Sequence, residues 1–337
     1  MPGSTIIVLD VGKTHSKLSL WSQDGRCIDR VSYTNKPQCG RDYKQLDFLG
    51  VAKWLLETLP RFADQNVQAI IPIAHGAALV GIQDDRVTVP PMDYEQQIPE
   101  PVVQEYRVLR DRFAVSGSPA LPGGLNMGTQ LYWIERALNV NVGEVTFIPY
   151  AQYWAWVLSG ELRSEVTSLG CHTDLWSPAT RIFSPTAQRL GWASRFAPIA
   201  AAGEIAGTLR PSLAQRSGLS PTVRVHVGIH DSNAALAAAR GYAEIADHEA
   251  TVLSTGTWFV AMRSPQETVE FGTLAEMRDC LVNVDVNGQP VPSARFMGGR
   301  EIEMLIGVDG GQLDDPAGQA AQIAAVDSVV TAGAMVL

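Results

Sequence analysis

Cysteine is scarce in this chain of 337 residues. Cys27, Cys39, Cys171 and Cys280 stand far apart and form no CxxC pair. This spacing argues against a structural zinc site and against a scaffold built on disulfides. Four reduced thiols favour a cytoplasmic protein.

An excess of positive charge is also lacking, since 26 Lys and Arg residues face 35 Asp and Glu residues, for a net charge of -9. Nucleic-acid binding needs clustered cations to neutralise phosphates, so that class of partner is not expected. Any phosphate-binding site must be local.

Long apolar runs are missing as well. The run at Ile6 to Leu9 ends at Asp10 and does not form a secretory signal. The stretch from Ala69 to Ile82 contains Pro72 and His75 and falls short of the roughly 20 apolar residues that cross a bilayer. We therefore expect no membrane partner.

The composition that remains is globular, with 46% hydrophobic and 18% charged residues, and the length suits about two domains. TIIVLD and KLSLWS read as strands, and the helical spacing of Phe48, Val51, Leu55 and Leu59 follows them. A further strand, which begins at Val67, breaks at His75-Gly76. Strands that alternate with helices predict a mixed α/β sheet with functional loops at strand ends.

The first two strands form a hairpin around Gly12. Glycine permits a tight turn whose backbone N–H groups face an anion, and Thr14, Ser16 and Lys17 add donors. Asp10 beside such a turn makes chemical sense if Mg²⁺ or water lies between carboxylate and phosphate. An ordinary surface hairpin is the alternative.

Two better-known phosphate loops are excluded. The Gly12-Lys13-Thr14 string would need glycine at position 7 to be a Walker A loop, and this chain has Ile7. A Rossmann G-x-G-x-x-G is also missing. A phosphate would therefore be bound by a hairpin and not by a helix N-terminus.

The segment TVLSTGTWFVAM repeats the pattern of strand, glycine turn and strand, with Ser254, Thr255, Gly256 and Thr257 at the turn. Two facing hairpins in one cleft would hold a polyphosphate from both sides. Between them in the chain, the strand VRVHVGIHD brings Asp231 to the start of an alanine-rich helix. Asp231 is either a general base or the N-cap of that helix.

The Asp10 hairpin, GIHDSNAAL and STGTW, in this order, resemble the FGGY carbohydrate kinases, particularly the rhamnulokinase, fuculokinase and xylulokinase branch. The resemblance extends to AHGA, LSGELRSEVTSLGCHTDLW and RFMGGRE. It implies an actin-like/RNase H-like α/β fold with two lobes around a cleft, an N-terminal lobe over 1–225 and a C-terminal lobe over 226–337. It also implies ATP and Mg²⁺ as cofactors and a small sugar, a ketose, as substrate.

The resemblance assigns roles residue by residue. Asp231 is the expected base toward the sugar hydroxyl, and Asp10 the expected magnesium ligand. The remaining expected contacts fall into two groups: the nucleotide phosphates meet Asp10, Gly12, Thr14, Lys17, Thr255, Gly256 and Thr257, and the sugar meets His75, Gly76, Asp93, His230 and Asp231. Tyr132 or Trp133 is a further candidate for the sugar-site wall.

The chain departs from the family pattern at the first turn, where Lys13 and His15 replace small hydroxyl residues and Lys17 stands where some members carry Arg. It also ends at VVTAGAMVL, where family members continue into a glycine-rich adenosine loop, so we expect an incomplete second lobe. A sugar-binding or regulatory relative without turnover is therefore the alternative function. The sequence does not specify the sugar, and a homodimer is left open.

Overall fold

The computed structural model describes residues 3–138, 143–246, 248–255, 258–264, 274–306 and 316–332. Its strands are, in chain order, β1 (Thr5–Val11), β2 (His15–Ser22), β3 (Cys27–Thr34), β4 (Gln38–Cys39), β5 (Lys44–Gln45), β6 (Val67–Ala74), β7 (Leu79–Gln83), β8 (Arg86–Val89), β9 (Thr146–Pro149), β10 (Trp176–Ser177), β11 (Ile182–Phe183), β12 (Ile205–Thr208), β13 (Arg224–His226), β14 (Ile229–His230), β15 (Ala250–Thr255), β16 (Phe259–Ser264), β17 (Cys280–Val284) and β18 (Pro290–Phe296).

Helices connect and cover these strands. They are α1 (Phe48–Thr58), α2 (Glu100–Leu109), α3 (Phe113–Ser116), α4 (Met127–Tyr132), α5 (Tyr150–Ser159), α6 (Val166–Leu169), α7 (Pro185–Arg189), α8 (Pro211–Ser217), α9 (Asp231–Ala239), α10 (Ala243–Ala246), α11 (Gly298–Ile306) and α12 (Pro316–Thr331). A π-helical turn, Trp133–Ala137, extends α4. Within the described part of the chain, each helix is too short or too polar to cross a membrane.

The largest sheet has the order β12-β13-β6-β1-β2-β3, and β14 also pairs with β6. The strands β1, β2 and β3 form an antiparallel meander, whereas β6 lies parallel to β1. Period-two alternation in β1 buries Ile7, Leu9 and Val11 in the core and turns Asp10 to the opposite face. The mixed α/β sheet expected from the sequence is thus observed.

Helices α1 and α5 pack on this sheet because their apolar residues line one core. Phe48, Val51 and Leu55 of α1 are buried at the predicted helical spacing, and Asp47 caps the helix by accepting a hydrogen bond from the N–H of Gly50. The helix α5 ends at Gly160, whose φ of 88° is a left-handed conformation that suits glycine.

A smaller antiparallel sheet, in the order β15-β16-β18-β17, forms the second lobe. Leu236 of α9 packs against Met262 and Val291 of this sheet in a small cluster of its own. The helix α9 follows directly after β14, which belongs to the large sheet. One helix therefore joins the two lobes.

The second hairpin is confirmed, because β15 and β16 pair antiparallel from Ala250–Ser264 to Thr255–Phe259. Gly256 and Thr257 at its turn lie outside the described residues.

Candidate active site at the edge of the two sheets

A cavity of about 450 Å³ lies between the β1–β2 turn, the segment after β6, the start of α9 and the second sheet. Nine of the residues proposed from the sequence line it: Asp10, Gly12, Thr14, Lys17, His75, Gly76, His230, Asp231 and Thr255. They come from stretches of the chain separated by up to 245 positions. The fold therefore brings both hairpins and the aspartate between them to one site.

The β1–β2 turn is tight. The N–H of Gly12 donates to the carbonyl oxygen of His15 at 3.0 Å, and a Cβ on Gly12 would lie 2.9 Å from that same oxygen. The side chain of Asn35 in the segment after β3 donates to the carbonyl of Gly12 at 2.8 Å. Ser16 does not reach the cavity, because alternation along β2 buries it and its Oγ donates to Asn35.

Asp10 and Lys17 face each other across the hairpin as directly paired residues. The Lys17 Nζ lies 3.8 Å from Oδ2 of Asp10. Burial raises the pKa of the Asp10 carboxyl above its ordinary value, Lys17 opposes this shift, and the negative charge of Asp231 adds to it. A cation placed between the two carboxylates would remove that repulsion.

Asp231 owes its position to a break in a strand. The strands β13 and β14 both run parallel to β6, and Gly228 separates them with a φ of 88°. A Cβ on Gly228 would lie 2.5 Å from the carbonyl oxygen of Pro72, so only glycine fits this close approach. The break carries His230 and Asp231 to the carboxyl end of the sheet.

The N-cap position of α9 is occupied by His230, and Asp231 is the first residue of the helix. The Asp231 Oδ1 accepts a hydrogen bond from the N–H of Ser232 at 2.6 Å, next to it in the chain. Although 39% of the Asp231 side chain is open to the cavity, burial raises the pKa of its carboxyl. The geometry does not favour the N-cap role for Asp231, and its carboxylate faces the cavity.

Three histidines, His75, His172 and His230, line the same cavity as this carboxylate. The His230 Nε2 lies 3.2 Å from Oδ1 of Asp231, and the His230 Nδ1 lies 3.1 Å from the side-chain amide of Asn233. Burial lowers the pKa of His75 and of His230 to about 4 and that of His172 to about 3. All three imidazoles are therefore neutral near pH 7 and offer hydrogen bonds without charge.

The ring of His75 is held so that one nitrogen can accept a hydrogen bond. Its Nδ1 donates to the carbonyl oxygen of Gly76 at 2.6 Å, and among the described residues its buried Nε2 has no partner. A neutral imidazole with Nδ1 protonated presents Nε2 as an acceptor. Gly76 leaves room for it, because a Cβ there would lie 2.7 Å from Cys171 Sγ and 3.0 Å from His230 Nε2.

Asp93 lies behind the cavity and does not line it. Its carboxylate is fully buried, pairs with the ammonium group of Lys13 and lies 3.2 Å from Nζ of Lys44. Lys13 does line the cavity, and its Nζ sits 4.6 Å from the ring centroid of Tyr94. Asp93 therefore reaches the cavity only through Lys13, and its expected contact with the sugar stays a prediction.

The aromatic wall also differs from the expectation. Trp133 is packed in a hydrophobic core, and Tyr132 donates to Glu105 at the surface. Tyr94 and Trp258 line the cavity instead. Each follows directly after a residue singled out in the sequence, Asp93 and Thr257, and that adjacency is the signal that could have found them.

Sequence reasoning missed further lining residues, namely Leu121, Leu125, His172, Leu281, Asn283 and Arg295. His172 and Arg295 fall inside the quoted stretches ending in CHTDLW and beginning with RFMGG, so their motifs were visible although their roles were not. The apolar members come from loops and strands with no motif at all.

The carboxylates fit a magnesium ion that arrives with a nucleotide. The described residues contain no group of three or more His, Cys, Asp or Glu side chains placed to hold a metal. Mg²⁺ in phosphoryl-transfer sites is commonly held by one or two carboxylates together with substrate phosphates and water. Asp10, whose pKa is raised beside Asp231, suits that arrangement.

Comparisons with known proteins agree with this geometry. Residues 247–337 match the family model of the carbohydrate kinase FGGY C-terminal domain. A carbohydrate kinase from Novosphingobium aromaticivorans is 56% identical, with a TM-score of 0.89 over 98% of this chain and 70% of that chain. Comparison with curated protein sequences gave no match.

More distant solved structures share the fold. The ligand-bound xylulose kinase from Lactobacillus acidophilus is 14% identical, with a TM-score of 0.71 over 90% of this chain and 62% of that chain. The xylulose kinase from Rhodospirillum rubrum is 18% identical, with a TM-score of 0.73 over 97% of this chain and 67% of that chain. This chain thus spans about two thirds of the length of these relatives.

The two-lobed α/β architecture is that of the actin-like/RNase H-like ATPases, as the resemblance implied. The chain belongs to the FGGY family of carbohydrate kinases.

Proposed function

We propose that the protein transfers the terminal phosphoryl group of MgATP to a hydroxyl group of a small sugar, a ketose by the resemblance stated above. The observation that carries this proposal is the meeting of Asp10, Lys17 and Asp231 in one cavity with three neutral histidines. In phosphoryl transfer the protein mainly positions the reactants and stabilises charge. This set of side chains offers both.

Asp231 accepts the proton of the attacking sugar hydroxyl. The sugar oxygen then forms a bond to the γ-phosphorus while the bond from that phosphorus to the β,γ-bridging oxygen breaks, and ADP leaves. Lys17 and the β1–β2 turn form the proposed phosphate side of the cavity, to which Thr255 of the second hairpin also contributes. Asp10 would hold Mg²⁺, which offsets phosphate charge when bound.

His75, Gly76 and His230 form the proposed sugar side of the cavity. The free Nε2 of His75 is an acceptor for a sugar hydroxyl, and Gly76 keeps the backbone close. His230 lies beside Asp231, so a hydroxyl that contacts both is held in reach of the base. A cytoplasmic setting belongs to the same proposal and is supported by the small number of cysteines and their lack of CxxC spacing.

The division into lobes at 225/226 stays a prediction. The strand β14 pairs with β6, so the large sheet extends to His230.

The test is a coupled assay of ADP release with pentoses, hexoses and 6-deoxy ketoses, run on the full reading frame. We expect one group of related sugars to stimulate ADP release in the presence of Mg²⁺, and Asp231→Asn to abolish most of it. Sugar binding without any ADP release would instead support the non-catalytic alternative.

A further inference from the structure

Arg295 of β18 is a buried cation to which the proposed mechanism gives no role. It lies opposite Val260 in the second sheet and lines the cavity, and only 11% of its side chain is exposed. Its guanidinium carbon sits 4.7 Å from the ring centroid of Trp258, and within the described part of the chain its buried Nε has no hydrogen-bond partner. Burying a guanidinium with an unpaired N–H is unfavourable unless something completes its hydrogen bonds.

The other two cations that line the cavity are lysines, and each is paired with a carboxylate that is less exposed than the acid near Arg295. Lys13 is paired with buried Asp93, and Lys17 with Asp10 across the hairpin. The acid nearest to Arg295 is Asp279, whose oxygen is 3.7 Å away and whose side chain is 69% exposed. Water screens such a carboxylate, so the charge of Arg295 is the least balanced of the three.

Arg295 lies toward the sugar side of the cavity. Its guanidinium group stacks on Trp258, which packs against the cluster of Ala77, Leu121 and Leu125, next to the Gly76 loop. Lys17, by contrast, faces Asp10 across the first hairpin, with its Nζ 3.8 Å from Oδ2 of Asp10. The cavity therefore has Lys17 beside the first hairpin and Arg295 beside the wall formed by Trp258, Leu121 and Leu125.

The neighbours of Arg295 in the cavity wall are apolar or uncharged. Leu121, Leu125 and Leu281 line the cavity with it, and His172, held by a 2.9 Å hydrogen bond from Nδ1 to the carbonyl of Leu125, is neutral. Apolar walls and a neutral imidazole do not compete for the guanidinium. They also lower the local dielectric, which strengthens a charged contact.

We infer that the acceptor is a sugar acid, whose carboxylate is bound by Arg295 at the end of the cavity remote from the hydroxyl that receives the phosphoryl group. This inference rests on the proposed function and deepens it. A guanidinium matches a carboxylate by two parallel hydrogen bonds, and stacking on Trp258 leaves its edge free for them. A ketoaldonate, which carries both a ketone and a carboxylate, would also keep the ketose character that the resemblance implies.

The test compares aldonates of five and six carbons with the alditols of the same configuration, in which a hydroxymethyl group replaces the carboxylate. Binding is measured by calorimetry on the full chain, with wild type, Arg295→Met, Arg295→Lys and the matched control Arg263→Met. Arg263 is an exposed arginine of the neighbouring strand β16, paired with Glu249. We expect one aldonate to bind wild type at least about 10²-fold more tightly than its alditol, as for a charge-assisted bidentate contact.

Arg295→Met should remove that preference, Arg295→Lys should retain part of it, and Arg263→Met should leave it unchanged. If Arg295→Met fails to fold, the ratio measured on wild type still decides. Alditols or neutral ketoses that bind as tightly as aldonates, or a preference that survives in Arg295→Met, would overturn the inference. Selective aldonate binding without ADP release from any sugar would refute the proposed function and leave the carboxylate site standing.

Discussion

The two hairpins share one sequence pattern, yet the protein supports them very differently. The first is embedded in the large sheet, since β1 pairs with β2 and β6, and β2 pairs with β1 and β3. The second begins with an edge strand, β15, whose Leu253 is 52% exposed. A local pattern therefore determines the turn, whereas the surrounding sheet determines how firmly the turn is held.

The residue between the hairpins should give the largest effect. Asp231 belongs to neither, so Asp231→Asn should leave both turns intact and remove only the base. We expect turnover to fall by about 10² to 10⁴ with little change in sugar affinity. Steady-state kinetics and calorimetry check this, and near-normal turnover would refute the role of Asp231.

Core truncations measure the difference in support directly. Leu18→Ala in β2 removes a fully buried side chain and should lower the free energy of unfolding by about 2–5 kcal/mol. Val252→Ala in β15 removes methyl groups that are only partly buried, so about 1 kcal/mol is expected. Chemical denaturation of both variants tests the contrast, and equal losses would show that the two hairpins are held alike.

Substitutions at the proposed phosphate contacts should likewise have a larger effect in the first hairpin than in the second. Lys17→Ala should raise the apparent ATP requirement about 10-fold or more and lower turnover, because it removes a charge that faces phosphate. Thr255→Val keeps the shape of the second hairpin and removes one neutral hydroxyl, so a change of about 5-fold is expected. ATP titrations at fixed sugar give both values. A change confined to thermal stability in Lys17→Ala would mean that the first hairpin is structural.

The smallest expected effect is a shift in pH dependence. The pKa of Asp231 is raised above its ordinary value by burial, and only the deprotonated form accepts a proton. Turnover should therefore decline as pH falls through a value above about 4, the usual range of a carboxyl group. Asp231→Asn should lack this acid limb, and a wild-type rate that stays flat down to pH 4 would contradict the shift.

Much of the fold could be predicted from the sequence because it depends on local patterns. The alternation in β1, the helical spacing from Phe48 to Leu55 and the glycine at position 12 each predicted an observed element. Nine of the proposed site residues line one cavity for the same reason, since strand ends and turns carry recognisable residues.

The remaining features of the site depend on contacts between residues far apart in the chain, which the spacing of residues in the sequence does not reveal. The position of Asp93 behind Lys13 reflects a pairing across 80 positions, and Arg295 meets Trp258 only once β16 and β18 are paired. The N-cap of α9 falls on His230 because Gly228 breaks the strand two residues earlier.

The buried pair of Lys13 and Asp93 has an evolutionary consequence. Losing Asp93 would leave the buried ammonium group of Lys13 without its buried partner, and losing Lys13 would leave the buried carboxylate of Asp93 with Lys44 alone. Either loss is unfavourable, whereas losing both partners at once is tolerated far better. The two positions should then be inherited as a unit: relatives with a small hydroxyl residue in place of Lys13 should also lack an acid in place of Asp93, and relatives that keep one partner without the other would argue against this linkage. A single difference in the β1–β2 turn thereby records a second difference 80 residues away, behind the wall of the same cavity.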